Sequence, residues 1–526
     1  MIRFACLLTI LILSAVVSVG LLVGTQADIS VVMAMAGQRE LSGRIDFQAL
    51  FGSIKTGELA TIHAKVTEAP SRLAGTSSER EVSKFVENEF HRLGLETVIQ
   101  SYPVTIPVTR WCRITDVHNQ QLPGISITPF WPNFVRTCTT PAEGIIGQVV
   151  DVGGGSLAEL DGKQIEGNIA LVTMGQGVGW LDAAKLGATA ILFTESDDPV
   201  VYNDKHLKFP ANLPRFLLTG PPDQVVGKRV RLTARVDWQI REARNVFGVL
   251  HPSDQSEEAL IILSHTDSWS TVPARAPGFQ DACTVTSMLG IARALQTQQG
   301  GLSRTVIFGA ISGRYSGSEG IRRMLDAVGS RTQNEPNLVR AHRRLAEAMD
   351  RKQGLETAIQ AYDSQDYWEL DAAGEAALWR QYGQLARSLF SQTIANLLNE
   401  HVVRAKLNAE LARVRWSQAD QPSEGSIFED HHRAMRMAKR TAVAASADLV
   451  AVKRIFHDVL DDAQARERMN GALQKAFKHA DDSCRYIRDS IAVGGLLGKW
   501  KNTYYFFPLH DSSTGPLGLA TDTILG

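Results

Sequence analysis

Apolar and polar positions along this chain fall into four textures. The first is an apolar run from Phe4 to Val23, interrupted only by Thr9, Ser14, Ser18 and Gly20. One cation, Arg3, precedes it, and Thr25-Gln26-Ala27 follows as a small-residue cleavage site. This pattern predicts export through residues 1–27, either as a cleaved signal or as an uncleaved anchor long enough to span a bilayer. The protein is therefore expected to be secreted, periplasmic or membrane-anchored, and to meet the membrane only through that segment.

The second texture mixes periods. Val82, Phe85, Val86, Phe90 and Leu93 share a helical face that Gly94 ends, and Thr97 to Thr105 follows as a strand. From about 141, EGIIGQVVDVG, GNIALVTMG and ATAILFTE read as short strands bounded by Gly and Asp, with WLDAAKLGA as a helical turn between the last two. These define a compact α/β insert over 125–235. The third texture is strand (243–250), strand (259–264), helix (285–298) and strand (305–310). Such a βαβ unit predicts a mostly parallel, mixed α/β sheet flanked by helices. The fourth begins near Asn337, with no proline between Pro336 and Pro422 and with Leu398, Val402, Ala405, Ala409 and Ala412 spaced 4,3,4,3. Residues 330–498 are expected to be long charged helices whose seam packs within the chain, on a second copy or on a partner protein. Thr503-Tyr504-Tyr505-Phe506-Phe507 returns to strand texture and runs into Asp511.

Composition narrows the class. A chain of 526 residues, 44% of them hydrophobic, can bury several cores. Lys and Arg number 55 against 56 Asp and Glu, a balance without the basic excess of a nucleic-acid binder. Five cysteines exclude a disulfide scaffold, although export permits a Cys112–Cys138 pair within one Pro- and Trp-rich segment.

Chemistry in open α/β sheets gathers at the carboxyl ends of strands. His265 ends the second strand of the third texture, so it can ligate a metal; Asp267, two residues on, can fix the imidazole from behind. Asp281 lies in GFQDACT at the mouth of the next helix, where a carboxylate can bridge two cations. Glu429-Asp430-His431-His432 heads a basic helical stretch and reads as a solvated cap. GGG at 153–155 lacks the following helix of a phosphate loop, and no G-x-S-x-G surrounds Ser264 or Ser268.

Taken in order, these segments resemble the co-catalytic zinc exopeptidases that include aminopeptidase Y and glutamate carboxypeptidase, with the transferrin receptor as an inactive relative. SRLAGTSSEREVSKFVENEFHRLGLE resembles the family's first helix, and 125–235 is similar to its protease-associated domain, through GNIALVTMG, AAKLGATAILFTE and LPRFLLTG. RNVFGVL, ALIILSHTDSW, GFQDACTVTSMLGIARAL and RTVIFGAISGRYSGSEG resemble the strands and loops of its metal site. The likeness covers roughly 46–329 and implies a peptidase-like domain from 46–120 and 236–329, joined by 500–526 if the strand near 503 completes it.

The resemblance implies zinc, one or two ions, with His265 and Asp281 as ligands and Asp267 behind His265. It also exposes a departure. Where active members place two consecutive glutamates, a general base and a ligand, this chain has Ile311 and Ser312, aligned through Gly317-Ser318. The general base is missing, and Glu319 is near but out of register. Asp511 is the candidate for a displaced ligand, and no histidine follows it. What is implied is an aminopeptidase-like hydrolase of terminal peptide bonds, weakened at its centre. The alternative is a non-catalytic homologue that binds a peptide or protein.

Overall fold

The computed structural model describes residues 45–132, 136–198, 201–202, 205–252, 256–276, 278–328, 337–364, 373, 462–500 and 502–506. The readings made for residues 1–27, for the 398–412 seam, for Glu429-Asp430-His431-His432 and for Asp511 lie outside these residues. The chain divides into two compact units, residues 1–332 with 492–526, and residues 333–491.

In the first unit, α1 (Phe47–Ser53), α2 (Thr56–Thr67) and α3 (Ser77–Arg92) precede a long strand, β1 (Glu96–Asp116). Next come β2 (Ser126–Pro129), β3 (Ile145–Asp151), β4 (Ile169–Val172), α4 (Gly179–Lys185), β5 (Ala190–Thr194) and β6 (Arg215–Thr219). A second long strand, β7 (Arg229–Leu250), leads to β8 (Glu258–His265), α5 (Phe279–Thr297), β9 (Thr305–Ile311) and α6 (Glu319–Val328).

The sheet order is β10-β8-β9-β7-β3-β4-β5-β6-β2, with β1 also on β7; β10 is Asn502–Phe506, parallel to β8. Strands β8 and β9 pair parallel, as the βαβ reading expected. The antiparallel ribbon of β1 and β7 was not foreseen at its full length. It pairs Glu96 with Val249 at one end and Asp116 with Val230 at the other. One edge of β7 carries β1 throughout. Its other edge carries β9 at Val246–Leu250 and β3 near Arg229–Leu232. A single ribbon thus bridges two sheet regions, each with its own core.

Alternation along the strands sends neighbouring residues to opposite faces. On one face Val246, Ile262, Phe308 and Ala310 pack with Val82, Val86 and Phe90 of α3 and with Val285, Met288 and Leu289 of α5. On the other Phe247, Ile261, Leu263, Ile307 and Ile311 pack with Ile321 and Met324 of α6 and with Val493, Leu496 and Leu497. Each large apolar side chain buried here contributes about 1.5–3 kcal/mol. A third core gathers residues of 114–236 together with Val272 and includes Phe130, Trp180, Phe193 and Phe216.

The Cys112–Cys138 pair is not formed; both are free thiols. Cys112 sits on β1 opposite Ala234 of β7, while the Thr140 amide donates to the Ala234 carbonyl at 3.0 Å on the far edge of β7. The two thiols are near enough to act on each other electrostatically but are not joined. Burial, together with the neighbouring Cys138, pushes the Cys112 thiol up to about 12.

The second unit contains α7 (Asn337–Ser364) and most of α8 (Asp462–Leu497). Leu355, Ala358, Leu473, Ala480 and Cys484 are buried there, and Lys352 pairs with Asp481 at 2.7 Å.

Candidate functional site

The site is assembled from the loop 266–278, the loop between β9 and α6, and one entry segment. The first leaves β8 at His265 and runs to Gly278, where α5 begins; the second carries Arg314 and Tyr315. Gly278 is left-handed (φ 59°), and a Cβ there would lie 2.3 Å from the Ser268 Cβ, so the close approach requires glycine. Arg72, in the segment entering α3, ties the two ends of the 266–278 loop together. Its Nη1 donates to the Thr266 carbonyl at 2.6 Å and its Nη2 to the Gly278 carbonyl at 2.7 Å. Its backbone joins in: the Arg72 amide donates to Ala276 O and the Ser268 amide to Arg72 O, both at 2.9 Å.

Three carboxyl groups act on this guanidinium electrostatically: Asp281, Asp267 and Glu79. Glu79 is buried, and its Oε1 accepts from the Thr266 hydroxyl at 3.0 Å. Burial raises its pKa, and the hydroxyls of Ser312 and Thr266 and the Gly75 amide oppose that rise. Asp267 is fully buried and pushed up to about 7, first by desolvation and then by the charge of Glu79. Neither of its oxygens makes a hydrogen bond of ordinary geometry, although the Arg314 and Tyr315 amides pull its pKa back at longer range. Asp267 is thus without a hydrogen bond of ordinary geometry, and its carboxyl feels the charges of Glu79 and Asp281.

Asp281 occupies the first turn of α5, where the helix N-terminus favours a negative charge. Its Oδ1 accepts from Arg314 Nη1 at 3.2 Å and from the Tyr315 hydroxyl at 3.5 Å. Expected as a bridge between two cations, it holds a guanidinium. His265 pairs in register with Ile311 across β8 and β9. The side chains of Ser264 and Thr266, on either side of it, reach Met288 on α5 and Glu79 on α3. The pleat therefore directs His265 away from that side.

Ile311 is 1% exposed, in the core under α6, so the expected base position faces packed hydrocarbon. Ser312 is buried in a polar network: its amide donates to Asn245 Oδ1 at 3.2 Å, and the Tyr102 hydroxyl lies 2.9 Å from its carbonyl. Gly320 closes this network, because a Cβ there would come within 2.0 Å of Ser312 O. Glu319 pairs with Arg323 at 2.7 Å and Arg322 at 3.2 Å on its own helix, so its carboxylate is already engaged by two guanidiniums.

The residues present do not fit a two-zinc centre. Such a centre needs anionic or imidazole donors on both cations. Here isoleucine offers no donor, the serine hydroxyl is a weak one, and Asp281 already carries a fixed cation. Among the described residues no group of three or more His, Cys, Asp or Glu is placed to hold a metal ion.

The 125–235 region braces the 266–278 loop. Trp131 N donates to Thr271 O, and Thr271 N to Tyr202 O, both at 2.7 Å, while Val272 joins the core of that region. Trp269 stacks on Tyr315 at 6.1 Å, with Lys208 Nζ 4.1 Å from its ring centroid.

Arg72, Glu79, Arg314 and Tyr315 escaped the sequence reading. Thr76-x-x-Glu79 matches a helix capping box, which disguises Glu79 as a capping residue. The structure closes only half of that box: the Thr76 hydroxyl accepts from Glu79 N at 3.3 Å, and the Glu79 carboxyl turns to Thr266. Arg72 shows in sequence only as a cation in an otherwise small and apolar stretch, RLAG.

The sequence model of Peptidase family M28 matches residues 245–327, which contain His265, Asp267, Asp281, Ile311 and Ser312. No curated protein matches the chain. Among solved structures the chain is similar to a zinc aminopeptidase from Bacillus subtilis, at 18% identity and a TM-score of 0.36 over 49% of this chain and 61% of that one. It is also similar to an aminopeptidase from Aneurinibacillus sp. strain AM-1, at 19% identity and a TM-score of 0.33 over 54% of this chain and 69% of that one. A third is a peptidase M28 precursor from Shewanella amazonensis, at 16% identity and a TM-score of 0.34 over 50% of this chain and 66% of that one. The chain thus spans 61% of the length of the first of these proteins.

Proposed function

We propose that this chain is an exported protein of the co-catalytic zinc exopeptidase type, related to aminopeptidase Y and glutamate carboxypeptidase, whose hydrolysis of terminal peptide bonds is lost or strongly impaired. The scaffold then serves as a binding module for a peptide or protein, with 125–235 as its protease-associated domain and 330–498 as a surface for a second copy or a partner. The observation that carries this reading is the Asp281–Arg314 pair at 3.2 Å, in the place where the family would use a carboxylate to bridge its metals. Ile311 and Ser312 support it, since a positioned base is worth about 10²–10⁴ in rate. Weak hydrolysis is the second reading, favoured by the retained order of His265, Asp267 and Asp281.

The test is turnover of aminoacyl chromogenic substrates with added zinc, for the unaltered protein, His265→Ala and Asp281→Ala. No release above the blank is expected from any of the three. Robust turnover abolished by both substitutions would restore the hydrolase.

A further inference from the structure

Arg314 touches Asp281 in a place shielded from water. The side chains are 14% and 15% exposed, and the N–O distance is 3.2 Å. The guanidinium also lies 5.2 Å from the ring centroid of Tyr315, whose hydroxyl reaches the same carboxylate oxygen. Tyr315, itself 38% exposed, is in turn stacked on Trp269, so the cation has an aromatic face on one side. Arg72 supplies a second buried positive charge that interacts with Asp281, Asp267 and Glu79. Two protein-borne cations therefore stand among three carboxyl groups. An arginine remains charged throughout the physiological range. A divalent ion approaching Asp281 would meet a donor already paired, and a like charge beside it.

We propose that Arg314 is the resident cation of this site: it occupies the carboxylate of Asp281 in place of a divalent metal and excludes one. The proposal rests on the functional reading above, but it concerns one residue and one property, the selectivity of the site for a fixed guanidinium over a metal ion. Arg314 is a positioning and excluding residue here, not a catalytic one. It follows that replacing Arg314 by a neutral side chain exposes Asp281 to divalent cations, whereas lysine, which keeps the charge, does not.

The experiment uses the full chain, freed of metal by a chelator and then titrated with cobalt(II) and zinc. Cobalt uptake is read from visible absorption and zinc affinity from calorimetry and the shift in Tm. Arg314→Gln and Arg314→Met are both made, so that the result does not hang on one variant folding. Arg314→Lys is the conservative control, and Arg314→Gln with Asp281→Asn is the charge-balanced reference. The unaltered protein and Arg314→Lys should show no cobalt band and no zinc-dependent Tm shift. The neutral variants should bind zinc about fivefold to a thousandfold more tightly, the range for removing one unit charge at about 4 Å from a second cation. The double variant should lose that gain.

Stoichiometric zinc in the unaltered protein, lost on Asp281→Asn, would overturn the proposal. It would equally be overturned if neither neutral variant gains metal, or if Arg314→Lys gains as much as Arg314→Gln. Turnover by the unaltered protein overturns the functional reading. An inert protein whose neutral variants gain no metal overturns the role of Arg314 alone.

Discussion

Arg72 and Arg215 are both buried guanidiniums, at 0% and 2% exposure, yet they are held by opposite means. Arg72 lies among carboxyl groups: Asp281, Asp267 and Glu79 all favour its charge against the cost of burial. Arg215, in the 125–235 region, has aromatic faces and carbonyls. Its Cζ lies 4.9 Å from the Trp180 ring and 5.7 Å from the Phe130 ring. It donates to Leu207 O, and Nη2 donates to Trp131 O at 3.3 Å. Burial lowers its pKa to about 10, and only the Cys138 thiol offsets that. One arginine is needed to balance charge; the other is a planar donor fitted between rings. The difference separates a site from a core.

That contrast predicts unequal losses. Arg72→Met leaves two fully buried acids and Asp281 without their shared cation. It should cost about 3–5 kcal/mol, as the breaking of buried ion pairs does. Arg215→Met leaves only carbonyl acceptors unpaired and restores apolar contact with Trp180 and Phe130. It should cost about 1–3 kcal/mol. Chemical denaturation of the two variants in parallel decides between them. An equal or larger loss at Arg215 would break the distinction drawn here.

A second expectation concerns the acid side of the same cluster. Asp267 is raised to about 7 in the folded protein, from an ordinary value of 3.8. The folded state therefore binds the proton more tightly than the unfolded one. Its contribution is fully favourable below about pH 4, is lost progressively as pH rises to about 7, and stays lost above that. Integrated over the window, the swing is on the order of 4 kcal/mol as an upper bound. Asp267→Asn removes the titration. The variant should gain stability relative to the unaltered protein between pH 5 and 8, measured by thermal melts at both. A stability difference independent of pH would show that Asp267 is not the group titrating. Glu79, also raised by burial, leaves some of the slope in place.

How much of this could be read in the sequence follows from the kind of force involved. The βαβ unit was legible because its periods are local: ALIILS, the helix after Asp281 and TVIFGAI each carry their own pattern. Ile311 and Ser312 stood out in the same way, beside a recognisable glycine and serine, at the positions where the resemblance implies paired glutamates. What was not legible depends on long-range pairing. The full length of β1 and β7 rests on a 20-residue register that neither strand announces alone. The Arg72 clamp joins residues about 200 positions apart in the chain. Asp281 was singled out in the sequence with a metal as its expected partner. Only the fold reveals that Arg314, 33 residues on, reaches it.

The smallest expected effect lies in an exposed turn, where a carboxylate is shifted in the opposite direction to Asp267. Glu159 Oε2 accepts from the Ser156 hydroxyl at 2.6 Å and the Ser156 amide at 3.0 Å, and Oε1 accepts from the Gly154 amide at 3.1 Å. Those donors, the Ser156 hydroxyl first, lower its pKa to about 2 from 4.5. They favour the charged form, just as the dry, acid-lined surroundings of Asp267 favour the neutral one. The sign of the pH effect reverses accordingly. The stabilisation from Glu159 is present above about pH 4.5 and is lost as pH falls through about 2. Glu159→Gln should lower Tm slightly at pH 7, and the gap between variant and unaltered protein should close as the pH approaches 2. Water screens this capping box, so the gap at pH 7 should be smaller than either effect above. A gap that widens on acidification would mean the amide and hydroxyl donors do not hold the charged form, and that the turn is fixed by its glycines alone.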